Sequence, residues 1–234
     1  MVPELAVLAE EGRGRGHRTL AEKAFDALHG AIITGQLRPG TRLPIEELAD
    51  VLEMSPMPIR EAVRRLDAAG LVENIPHRGA RVTELSIGDL AEVYEARLAL
   101  ELLAIRRAAE RFGERDCSLA RQRLDLLERM PDDNSATTSA AHAAFHYALY
   151  EAAGSAWLLR LIRPVWETAE RYCLAAPQCR QLTERRGEHD AILEACATHD
   201  PERAELALRD HLSRTANNIA VAMGGEPLFA FSLA

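Results

Sequence analysis

LRPGTRLPIEELADVLEMSPMPIREAVRRLDAAGLVENIPHRGARV, residues 37–82, is the stretch whose reading decides the fold of this 234-residue chain. Leu37-Arg38-Pro39-Gly40 reads as a turn. Leu48, Val51 and Leu52 then give an apolar face to a short helix over 44–52. Ser55 stands where an N-cap belongs, Pro58 lies in the tolerant first turn of a third helix over 56–69, and Gly70 closes it. Two β-prone segments follow, Leu71–Ile75 and Ala80–Thr83, joined by Pro76-His77-Arg78-Gly79 as a small hairpin, or wing. Upstream, Leu20, Ala24, Ala27, Leu28, Ala31 and Ile32 recur at helical spacing between His17 and Thr34, and Gly35 ends that helix. Residues 1–16 are polar and punctuated by Gly and Arg, so they are expected to be mobile.

Downstream of Leu85-Ser86 the pattern changes to six long helical segments, at about 87–112, 115–130, 134–153, 156–175, 179–199 and 201–222. Asp200-Pro201 is a helix start with Asp as cap and Pro in the first helical position. The predicted fold class is therefore mainly α: a winged helix-turn-helix over 17–83, a linker at 84–88 and an antiparallel six-helix bundle over 89–223. Every apolar run is interrupted by charge before the roughly 20 residues a membrane span needs, and the N-terminus lacks the order of a signal peptide. A cytoplasmic protein with no membrane partner is expected. The cysteines Cys117, Cys173, Cys179 and Cys196 form no CxxC pair and read as packed thiols. Net charge is −8, yet Lys plus Arg against Asp plus Glu is 11 to 12 in residues 1–83 and 17 to 24 beyond, so the acidity belongs to the C-terminal part. A near-neutral N-terminal unit can still present a basic face.

The third helix is built to do so. Ile59, Val63 and Leu66 face inward while Arg60, Arg64 and Arg65 stay outside, and a helix of this size fits the major groove of B-DNA. Arg78 beside Gly79 at the wing tip can reach phosphates or a narrow minor groove. The order PG-x-RL (39–43), EELA (46–49), Ser55, PIREA (58–62), RL (65–66), GLV (70–72) and RGA (78–80) resembles the DNA-binding domain of the GntR family of regulators. The resemblance implies a transcription regulator, with operator contacts carried over to Arg60, Arg78 and Gly79; Ser55, Met57 and Arg64 are the further candidates for DNA contact on the third helix. It departs in one place: the family's Ser-Arg-Thr-Pro is here Ser55-Pro56-Met57-Pro58, so the contacts of an Arg and a Thr are missing and the operator should differ from the family norm.

In the helical half, His142 and His146 lie one turn apart on one helix face, and His189 and His211 fall on the last two helices. Four converging imidazoles suit a borderline divalent cation, zinc first, then nickel or copper. Hydrogen-bonding histidines without a metal are the other reading. Residues 89–221 resemble the FadR-type C-terminal domain, called FCD, through YEARLALE (94–101), Phe145-His146, EHDAILEA (188–195) and DHL (210–212). That resemblance implies a six-helix bundle around a ligand cavity, a homodimer, and a metal held by one Asp and three His. The three family histidines match His146, His189 and His211, and His142 takes the Asp position. All-nitrogen ligation keeps the +2 charge unanswered by a directly bound carboxylate, favours nitrogen-preferring metals, and should welcome an anionic effector, an organic acid in this group. Arg97, in the position that faces the cavity in similar proteins, would fork onto its carboxylate, and Thr215 and Asn218 would line the pocket. Trp157 and Trp166 read as core or dimer packing. The expected partners are double-stranded operator DNA and a small acid, with repression as the expected direction of control. A regulator for which the metal itself is the signal is the alternative. An enzyme is the remote one, because four histidines close the shell and no HExxH or phosphate loop occurs.

Overall fold

Thr19 starts the first helix with a reciprocal cap: its hydroxyl accepts the Glu22 N–H while the Glu22 carboxylate accepts the Thr19 N–H. The computed structural model describes residues 5, 8, 19–75, 79–131, 135–176 and 182–230 and divides into two units, Met1–Leu85 and Ser86–Ala234. In the first unit the elements are α1 (Leu20–Ile33), β1 (Arg42–Leu43), α2 (Ile45–Val51), α3 (Pro56–Ala68), β2 (Val72–Ile75) and β3 (Gly79–Val82). Gly35, at φ +74°, takes the left-handed conformation that ends α1. Leu28, Ile32, Leu48, Ile59, Val63, Leu66 and Val82 form one buried cluster.

Three details depart from the sequence reading. Leu5 and Leu8, in the segment expected to be mobile, are fully buried in that same cluster, one helical turn apart in the chain. The wing hairpin gains a third strand: β1 pairs antiparallel with β3, giving the order β1-β3-β2. The register sets Arg42 opposite Arg81 and Glu73 opposite Arg81, one outward row across the sheet. Glu73 accepts from Arg81 Nε at 2.7 Å. Ser55 occupies the N-cap position of α3, but its side chain makes no cap hydrogen bond. The donor it would meet at the third helical residue is absent because that residue is Pro58, which has no N–H.

In the second unit six helices follow: α4 (Ile87–Ala109), α5 (Glu114–Glu128), α6 (Ala136–Glu151), α7 (Ala156–Ala175), α8 (Leu182–Ala197) and α9 (Pro201–Ala222). Ser86, Ser135, Ser155 and Asp200 accept side-chain cap bonds at four of the helix starts. Helix α4 packs on α7 and α9, and α5 packs on α6 and α8. Among the described residues, no helix is long and apolar enough to cross a membrane. Cys173 and Cys196 are buried and Cys117 half-buried, all as free thiols; Cys179 lies outside the described residues.

Candidate functional site

The short connection at His199-Asp200 folds α8 and α9 into a hairpin, and His189 and His211 sit equally far on either side of Asp200 in the chain. They therefore come level, facing the one-turn pair His142 and His146 of α6. The four imidazoles meet: a ring nitrogen of each lies within 4.8 Å of those of the others. His146, His189 and His211 are buried, and His142 keeps a small exposure. The closest approach is His146 Nε2 to His189 Nε2, 3.3 Å. Nitrogens bound tetrahedrally at about 2.0–2.1 Å stand about 3.3–3.4 Å apart, so this pair already has the spacing that zinc requires.

Outside the imidazoles lies a layer of partners that sequence reasoning did not identify. His211 Nδ1 donates to Glu188 Oε2 at 2.8 Å, and Glu188 Oε1 is held by Arg214 Nε at 2.5 Å. His146 Nδ1 contacts the Tyr150 hydroxyl at 3.2 Å, and Tyr150 donates to Glu101 Oε2 at 2.6 Å. Glu170 Oε1 stands 3.9 Å from His142 Nδ1. Trp166, read from the sequence as packing, is a wall of the site, with its ring centroid 5.5 Å from that of His142 and 5.1 Å from that of His146. Trp157 is exposed beneath Arg160, so it is not part of the core of this chain. The signals were local: Glu101 follows Arg97 by four residues, Tyr150 follows His146 by four, and Glu188 precedes His189.

Arg97 is buried as expected, but its fork is already taken. Nε meets Glu101 Oε1 at 2.6 Å and Nη2 meets Glu101 Oε2 at 3.3 Å, while its guanidinium lies 4.5 Å from the Trp166 ring and 4.9 Å from that of Tyr94. Burial pulls this guanidinium down, yet Glu101 and Tyr94 outweigh it and hold Arg97 well above its ordinary value. Burial, with the Glu101 charge behind it, likewise pushes the Tyr150 phenol well up, so it stays protonated. Burial takes Tyr147, on the same helix, up to about 12. Thr215 is half-buried and its hydroxyl bonds back to the His211 carbonyl. Asn218 is exposed: seven residues carry it roughly 10 Å along α9 from His211, beyond the imidazoles. The buried neighbour Asn217 instead ties down the backbone of Leu228 and Phe229.

In the first unit Met57, Arg60 and Arg64 share one exposed face of α3, with exposed Ser55 at its start. Arg60 Nη2 leans toward Glu46 Oε1 at 3.5 Å, and Arg64 Nη2 binds Glu61 Oε2 at 2.5 Å. Arg65 points elsewhere, stacking 4.1 Å from the Phe25 ring of α1. Gly79 opens β3 at φ +81°, a conformation that favours glycine. Arg78 lies outside the described residues.

A unit of three helices and a small sheet with an arginine-bearing third helix is the architecture of a winged helix-turn-helix DNA-binding unit, here in one chain with a helical bundle that holds a histidine cluster. Residues 20–82 match the gntR family of bacterial regulatory proteins, and residues 92–214 match the FCD domain. The chain is 33% identical over 203 residues to the uncharacterized HTH-type transcriptional regulator BphR of Paraburkholderia xenovorans, covering 83% of each protein. It is 28% identical over 214 residues to the HTH-type transcriptional repressor GlaR of Escherichia coli, covering 85% of this chain and 95% of that one. The crystal structure of a GntR-type regulator from Rhodococcus sp. RHA1 aligns with a TM-score of 0.65 at 25% identity, covering 87% of this chain and 97% of that one. The chain belongs to the GntR family, with an FCD domain as its C-terminal part, and is a transcription regulator rather than an enzyme.

Proposed function

We propose that this regulator is a cytoplasmic homodimer that represses from an operator in double-stranded DNA, with an FCD domain that holds a divalent transition metal on His142, His146, His189 and His211 and senses a small organic acid beside it. The observation that carries this reading is the meeting of four histidines from three helices, two of them with Nδ1 held by hydrogen bonds that leave Nε2 for a metal. An all-imidazole set suits zinc, then nickel or copper. When bound, the metal supplies a positive centre for an anion. Three glutamates stand behind the imidazoles, and Arg97 and Arg214 balance two of them. Operator contacts come from Ser55, Met57, Arg60 and Arg64 of α3, with Arg78 and Gly79 at the wing. Effector acts by favouring one DNA affinity over another, a coupling of about 1–3 kcal/mol.

A second reading, that the metal is itself the signal, is favoured by one observation: the Arg97 fork expected to take the effector's carboxylate is engaged by Glu101. One experiment addresses both. Full-length protein, stripped with a chelator or loaded with zinc, is titrated by fluorescence anisotropy onto DNA from immediately upstream of its own gene, with random competitor and a panel of small carboxylic acids. Tight, salt-sensitive, competitor-resistant binding supports the regulator, and release by an acid only in the zinc-loaded protein supports the metal as part of the pocket. A switch with zinc alone selects the second reading. Equal binding to competitor in every state overturns both.

A further inference from the structure

We propose that Tyr150 and Glu101, anchored by Arg97, are positioning residues for the metal: they hold the His146 imidazole as its Nδ1–H tautomer and so aim its Nε2 lone pair into the cluster. This rests on the reading of the four histidines as metal ligands.

The assignment follows from proton bookkeeping. A phenol has one proton to give. Tyr150 gives it to Glu101 Oε2 across 2.6 Å, so toward His146 Nδ1, 3.2 Å away, its oxygen acts as the acceptor. The ring must then carry its proton on Nδ1, which leaves Nε2 as the electron-pair donor. That Nε2 is the atom lying 3.3 Å from His189 Nε2. The acceptor end cannot swing away, because both Glu101 oxygens are gripped by Arg97. Rings of Tyr94 and Trp166 lie against the guanidinium in turn. Glu101, Tyr150 and His146 are all completely buried, away from bulk solvent.

Stability alone does not account for such a chain. A buried ion pair is often no better than two apolar side chains of similar volume. Placing Arg97 and Glu101 of α4 behind a tyrosine of α6 makes sense when the far end has to orient a particular atom. His211 shows the same arrangement without the phenol, its Nδ1 bonded directly to Glu188, which Arg214 holds. Two of the four imidazoles are thus turned the same way by separate carboxylate–arginine pairs. The relay also reassigns Arg97: its fork secures Glu101 and is not the clamp for an effector.

The test uses the full-length chain and zinc itself. Zinc affinity is measured by competition with a chromogenic chelator for wild type, Tyr150→Phe, Glu101→Gln and Tyr147→Phe. Loss of a partner behind a ligating histidine typically costs about 10–100-fold in metal affinity, and that is the loss expected for Tyr150→Phe. Glu101→Gln keeps an acceptor for Tyr150 but drops the charge, and should fall between Tyr150→Phe and wild type. Tyr147→Phe removes a hydroxyl from the same helix whose ring packs against Tyr150 and Trp166, and should bind zinc as wild type does. Nitrogen-15 imidazole spectra of the zinc-free proteins give a second readout: His146 is expected as Nδ1–H in wild type, and shifted toward Nε2–H in Tyr150→Phe. Melting curves without zinc identify a variant that has lost its fold, and Glu101→Gln then carries the affinity comparison. Zinc affinity of Tyr150→Phe within twofold of wild type, or His146 found as Nε2–H in wild type, overturns the relay. Failure of wild type to bind zinc overturns the metal reading and the role together, and is told apart because the wild-type tautomer is read without zinc.

Discussion

Arg60 offers the sharpest test of how the winged unit reads DNA, because its cost to the fold and its value on DNA separate. Its side chain is 60% exposed, its partner Glu46 is 74% exposed, and the two stand 3.5 Å apart. An exposed pair of that kind contributes between nothing and about 1 kcal/mol, so Arg60→Ala should leave the melting curve nearly unchanged. On DNA, an arginine at the N-terminal half of a recognition helix contributes about 1–3 kcal/mol, and its loss should weaken operator binding by about 5–140-fold. Anisotropy titrations at two or more salt concentrations also separate the kinds of contact. A lost phosphate contact lowers the salt slope by about one, whereas a lost base contact leaves it and relaxes specificity at one position. Glu46→Ala should do the opposite of Arg60→Ala, since it frees the guanidinium and removes a negative charge beside it. That gain should vanish in the double variant. A folded Arg60→Ala protein that binds the operator within twofold of wild type would refute the reasoning. So would a Glu46→Ala gain that survives undiminished without Arg60.

Zinc at a hundred times its dissociation constant should stabilise the FCD domain by about 2.7 kcal/mol, which at about 2–4 °C per kcal/mol is a rise of about 5–10 °C in Tm over chelated protein by scanning calorimetry; no rise counts against the metal centre. Tyr172 gives its proton to Asp89 Oδ2 at 2.5 Å and accepts the Ser86 N–H at 3.3 Å, so Tyr172→Phe should cost about 1.5–3 kcal/mol in chemical denaturation with zinc absent. Burial pushes the Cys196 thiol up to about 12 from an ordinary value of 9.0. Native protein should therefore resist alkylation at Cys196 at pH 8.5 while half-buried Cys117 reacts first, as peptide mass mapping would show. The thiol is neutral when folded and ionises when unfolded, so its contribution to stability is whole below pH 9 and is lost as pH rises toward 12.

What could be read from the sequence was what is decided locally. Asp200 caps its helix through a bond to the residue three positions on, and the one-turn spacing of His142 and His146 needs nothing beyond the helix itself. What could not be read depends on partners brought from afar. Two residues, Arg42 and Leu43, show no periodicity and become a strand only because β3 lies beside them. Leu5 and Leu8 belong to a short apolar run, Leu5 to Ala9, that is too brief to show a period and is followed at once by the charged, Gly/Arg-punctuated stretch from Glu10. The pairing of Arg97 with Glu101 is a one-turn spacing within α4, whereas the meeting of that pair with Tyr150 of α6 and the imidazoles depends on how the helices pack and not on spacing. Ser55 failed as a cap for a local reason that was present in the sequence: its natural donor is a proline.

The outward row on the small sheet has a consequence for the life of the winged unit. Arg42 and Arg81 face each other across neighbouring strands, and like charges so placed repel. Among the described residues Glu73 is the acid in that row, a single carboxylate set against two guanidiniums. In water such exposed charges repel only weakly, and an anion set beside the row would offset that repulsion.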